Sequence, residues 1–98
     1  MEKYKAKLVE YATKYADGVE WLANCPFQDG QPFYETAGEV LEFYGEEIAE
    51  KAHILFHHYK IEAAGKLLDE IRSVLEDGPS ENDEAMFWRD VAKRAAAL

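Results

Sequence analysis

From Phe33 to Tyr59 the chain reads FYETAGEVLEFYGEEIAEKAHILFHHY, with two isolated glycines and no proline. Placed on a helix, Ala37, Leu41, Tyr44, Ile48, Ala52, Leu55 and Tyr59 form one stripe. Val40 and Phe43 widen it on one side, and Ala49 and Phe56 on the other. A helix apolar over so wide an arc is stable only when other helices cover it. At ~1.5 Å per residue it would run ~40 Å, longer than a small domain needs, so a homodimer is one expectation.

The same stretch carries a polar seam. At ~100° per residue, Glu35, Glu39, Glu42, Glu46, His53 and His57 fall within roughly 60° of one another, with Glu50 just beyond. The seam lies opposite the main apolar stripe, where side chains that face water belong.

The rest of the chain also reads as helix. Tyr4, Leu8, Tyr11, Tyr15, Val19 and Leu22 recur at spacings of three and four, which is one helical face. Asp17-Gly18 is a weak point, yet the stripe keeps its phase across it, so a continuous helix is expected. The three tyrosines are expected as core aromatics whose hydroxyls reach the bundle rim. Residues 25–32, CPFQDGQP, form a marked loop in which Pro26 and Pro32 bracket the turn dipeptide Asp29-Gly30. Phe27 within it is expected to tuck under a helix end.

Continuing the second helix past Tyr59 would put Glu62 and Lys66 in the core. The apolar set instead becomes Ile61, Ala64, Leu68, Ile71 and Leu75. This slip of phase predicts a turn near Lys60–Ala63. Gly78 and Pro79 end the third helix. Ser80 caps the fourth, with Glu81, Asp83 and Glu84 at its positive dipole end and Lys93 and Arg94 near the other.

The prediction is therefore an all-α single domain of 98 residues, a four-helix bundle over about 3–24, 33–59, 62–77 and 81–97 with a long central second helix. The first helix should lie antiparallel to the second, and the short third and fourth helices should form a hairpin across it. Leu8, Tyr15, Leu22, Leu41, Tyr44, Ile48, Leu55, Leu68, Ile71 and Trp88 are the expected core.

Residues 59–79, YKIEAAGKLLDEIRSVLEDGP, resemble the end of a tetratricopeptide repeat. No second copy stands about 34 residues away, and a lone repeat cannot bury its own faces, so no repeat architecture is expected.

Charge narrows the function. Lysine and arginine number 11 against 20 acids, a net charge of −9. Residues 18–59 hold eight acids and one lysine, a balance of −7. Such a field repels phosphate, which argues against direct binding to nucleic acid or to an anionic membrane and for a partner with a basic surface. The single cysteine, Cys25, permits no intrachain disulfide and lacks Cys or His neighbours, which marks an idle thiol. No apolar run suits a signal peptide or a membrane span, so a cytoplasmic location is expected.

Enzyme chemistry has little support. There is no glycine-rich phosphate loop, and Ser73 and Ser80 show no sign of an activating base. Two readings of the seam remain. In the first, the protein is a small non-catalytic module, a regulator or inhibitor, whose Glu35, Glu39, Glu42, Glu46 and Glu50 dock on a partner's basic surface. Carboxylates repeating every ~6 Å along a helix also mimic successive phosphates, which would suit a groove built for nucleic acid. In the second, Glu50-x-x-His53-x-x-x-His57 holds a transition metal such as zinc or iron, since histidines four apart can share one ion. Glu10, Glu20, Asp69 or Glu70, or a second copy of the chain, would complete that site. The first reading carries no cofactor.

Overall fold

Four amphipathic stripes become four helices in a computed structural model, which describes residues 2–23, 32–77 and 84–98 and the side chains of 2–21, 39–77 and 84–98. They are α1 (Glu2–Ala23), α2 (Pro32–His57), α3 (Glu62–Asp77) and α4 (Glu84–Ala96). Each boundary falls within three residues of the expected one. The loop with Cys25 and Phe27, the Ser80 cap, and the side chains of Leu22 and Glu35 lie outside the described residues.

α1 runs unbroken through Asp17-Gly18. Its tyrosines pair with α2 and its following turn in reverse order: Tyr4 meets Tyr59 with ring centroids 6.0 Å apart, and Tyr11 meets Tyr44 at 5.4 Å. Further along, a Cβ on Gly18 would stand 2.6 Å from Leu41 Cδ2. Rising positions on α1 thus meet falling positions on α2, and the two helices are antiparallel. Glycine at 18 lets the backbones approach where any larger residue would push Leu41 aside.

α2 stops at His57. The N–H of Ile61 reaches back to the Leu55 carbonyl at 3.1 Å, and Lys60 takes a left-handed conformation with φ of 59°. Glycine usually fills that position at a helix end. The turn is where the apolar phase slips, and it folds α3 back antiparallel onto α2, with Gly65 against the Phe56 ring and Gly45 against Leu75.

The expected hairpin of α3 and α4 does not form. α3 packs on α2, while α4 packs on α1, and the two short helices meet over a small area that includes the Arg94–Glu70 bridge at 2.6 Å. Tyr15 and Trp88 rings lie 4.3 Å apart across the α1–α4 contact. Arg89 of α4 reaches both Asp17 and Glu20 of α1 at 2.9 Å. α1 and α2 are therefore the central pair, each carrying one short helix on its flank. A periodic apolar face tells that a helix is covered but not by which neighbour.

One core joins all four helices. Leu8, Ile48, Leu55, Leu67, Ile71 and Trp88 are among its fully buried side chains. Of the expected core, Leu8, Ile48, Leu55, Leu68, Ile71 and Trp88 are buried, whereas Leu41, Tyr44 and Tyr15 are only partly so. Trp88 hydrogen-bonds through its indole N–H to Glu84 Oε1 at 3.4 Å, so its burial leaves no donor unmatched. Val40 and Phe43, expected to widen the apolar face of α2, are 44% and 54% exposed. Only two helices flank α2, and the arc beyond α1 is left uncovered. No described helix is long and apolar enough to cross a membrane.

Candidate functional site

The seam of α2 points into solvent. With Ile48, Ala52 and Leu55 fixed in the core, the ~100° step per residue turns Glu39, Glu42, Glu46 and Glu50 outward, and all four are exposed. Glu35 begins the same line in sequence, its side chain outside the described residues.

These four carboxylates form no salt bridge with any other described residue. Elsewhere many of the described acids are bridged, although Glu62, Asp69, Glu76 and Asp77 of α3 are not. Lys7 and Lys14 share Glu10 at 3.3 and 3.6 Å. Arg94 bridges to Glu70 at 2.6 Å and to Asp90 at 3.6 Å. Lys51, the lysine of α2, lies 2.8 Å from Glu47, which stands off the seam on the other flank of the helix. The row of acids thus runs along one side of α2 without a bridged counter-charge among the described residues. Part of its field reaches inward. The Tyr15 phenol is pushed up to about 12, first by burial and then by the charges of Glu84 and Glu42.

His53 and His57 lie one above the other on the same face, ring centroids 4.2 Å apart and planes 41° from parallel. Both are exposed, as is Glu50. Among the described residues no group of three His, Cys, Asp or Glu side chains is placed to hold a metal ion. Three of the four acids proposed to face the histidines are engaged elsewhere: Glu10 with Lys7 and Lys14, Glu20 with Arg89, and Glu70 with Arg94; Asp69 is exposed on α3 and joins no metal-binding group. Glu50, His53 and His57 share a face of one helix without converging on a common point.

Beside the seam, Val40 and Phe43 stand one turn apart on α2, apolar and open to water. The Phe43 ring rests edge-on against Tyr44, with centroids 5.5 Å apart. Glu39, Val40, Glu42 and Phe43 thus put acids and apolar groups side by side on the exposed surface of α2.

A second feature has no counterpart in the sequence pattern. Where α3 and α4 splay apart, a cleft of about 330 Å³ opens between Ile61, Ala63, Lys66 and Leu67 on one wall and Arg94 and Leu98 on the other. The walls lie about thirty positions apart in the chain, so no local motif marks them; the only hint was Arg94, which the helix dipole was expected to hold.

Set beside known proteins, the chain matches no family model, no curated protein and no solved structure, and its functional reading rests on its own residues.

Proposed function

We propose that this protein is a non-catalytic binding module that docks through the outer face of α2 on a basic surface of another protein, as a small regulator or inhibitor. One observation carries the reading: Glu39, Glu42, Glu46 and Glu50 are exposed in a row and lack salt bridges with the described residues, although bridges are frequent on the rest of the surface. Like charges spaced three and four apart along a helix repel each other by a few tenths of a kcal/mol per pair. A partner's lysines and arginines would relieve that repulsion and draw the two proteins together over about a Debye length. Val40 and Phe43 would then enter an apolar recess and slow dissociation.

The ~6 Å repeat of the carboxylates favours partners whose basic groove otherwise holds nucleic acid. The test is a pull-down from the source organism with the wild type and with E39K/E42K/E46K. A partner of this kind is retained by the wild type at low salt, released as salt rises, displaced by duplex DNA, and missed by the triple variant. A partner held equally by both proteins and indifferent to salt would overturn the reading.

A further inference from the structure

The cleft between α3 and α4 differs in chemistry from the rest of the surface. Ile61, Ala63, Leu67 and Leu98 give it an aliphatic lining, and its two charged lining residues, Lys66 and Arg94, are both cationic in a chain whose net charge is −9. No acid and no aromatic ring lines it. We propose that this cleft binds a free aliphatic carboxylate, a medium-chain acyl anion.

The volume and the lining set the class. About 330 Å³ is near the lower end of the ~300–1,000 Å³ range of ligand pockets. An acyl chain would cover the aliphatic wall, whereas an aromatic ligand would find no ring to stack on. Arg94 is shared with Glu70 and Asp90, which offset its charge but leave some of its five N–H donors for a ligand, so Lys66 supplies the uncompensated charge. Lys66 is exposed on α3, forms no salt bridge with a described residue, and brings three donors to the same rim. A chain in water with a carboxylate at one end fits walls that are apolar within and cationic at the edge. The weak packing of α3 against α4 leaves this opening unfilled by the protein itself.

Octanoate is the probe, followed by amide NMR titration of the full chain, with 1-octanol as its neutral counterpart. Octanoate is expected to saturate one site and to shift the amides of Ile61, Ala63, Leu67 and Leu98. K66E should weaken it roughly tenfold, the scale of reversing one partly exposed charge. 1-Octanol should bind weaker by a similar factor. A63W, at an exposed wall position, should abolish binding, with unchanged circular dichroism melts showing that both variants fold. No saturable shift up to about 10 mM, weaker than a ligand of this size should bind, would overturn the proposal. So would octanol binding as tightly as octanoate, or shifts centred on Val40 and Phe43. The site is remote from the acidic face, so E39K/E42K/E46K should bind octanoate as the wild type does.

Discussion

Gly65 of α3 sets two ordinary effects against each other. Alanine is favoured over glycine within a helix by ~0.8–1.0 kcal/mol, so Gly65→Ala should stabilise the protein on propensity alone. The packing says otherwise. A Cβ at this buried position would stand 2.6, 2.7 and 2.9 Å from three atoms of the Phe56 ring. They belong to one rigid plane, and the ring leans on His57 with centroids 4.7 Å apart, so it cannot yield one atom at a time. Overpacking of this kind costs ~1–3 kcal/mol. The clash outweighs the propensity, and a net loss of up to about 2 kcal/mol is expected, lowering Tm by up to about 16 °C for a chain of this size. Thermal melts by circular dichroism measure it. In a Phe56→Ala background the ring is gone, and Gly65→Ala should then stabilise by ~0.5–1 kcal/mol, which a double-mutant cycle reads directly. Gly18→Ala is the companion control. There the obstacle is chiefly one terminal methyl of half-exposed Leu41, which can rotate away, so the change should be neutral or mildly stabilising. A higher Tm for Gly65→Ala in the wild-type background, or the same effect in both backgrounds, would refute this account of how α3 seats on α2.

Leu55→Ala and Ile48→Ala each empty a fully buried site and should cost ~2–5 kcal/mol, read from urea midpoints, whereas Phe43→Ala at an exposed site should stay within about 0.5 kcal/mol. Tyr15 predicts an alkaline effect: its folded-state pKa is raised to about 12 from 10.0, so the native chain keeps the proton after the unfolded chain has released it. Its contribution to stability is intact below the unfolded value and is lost as pH rises from there towards the folded one. The urea midpoint of Tyr15→Phe should therefore fall less steeply than that of the wild type across that window. Equimolar zinc should leave Tm unchanged in the wild type and in His53→Ala; a rise in the wild type that His53→Ala abolishes would restore a metal role for Glu50, His53 and His57.

The four helices were legible because each stripe keeps a strict period and breaks where the backbone turns. The slip between Tyr59 and Ile61 located the reversal without any glycine or proline, since Lys60 supplies the left-handed residue itself. The outward turn of Glu39, Glu42, Glu46 and Glu50 followed from the same periodicity. Pairing of helices was not legible. α3 and α4 each show one apolar face, and nothing local distinguishes a face that will meet a neighbouring short helix from one that will meet α2 or α1. Leu67 illustrates the limit: it sits beside the expected Leu68 and is equally buried, while Leu75, on the expected stripe, is exposed. Val40 and Phe43 misled for a related reason. Their apolarity is real, but burial depends on how many helices surround α2. The cleft could not have been found by pattern, because it is made by two helices that meet over only a small area.

The placement of α4 has a consequence for the order in which the molecule assembles. α1, α2 and α3 pack on neighbours in sequence, whereas Arg89 of α4 finds Glu20 and Asp17 of α1 across separations of 69 and 72 residues. Such a contact rewards the chain only after a long loop has closed. The hold of α4 on α3 is narrow, the Arg94–Glu70 bridge at 2.6 Å, and forms only once that loop has closed. Docking of α4 is therefore expected to come late in folding, whereas its buried Trp88, Val91 and Ala95 and its extensive contact with α1 should keep its amides protected in native-state hydrogen exchange. The fourth helix would then behave as a clasp, fastened last and held shut by α1.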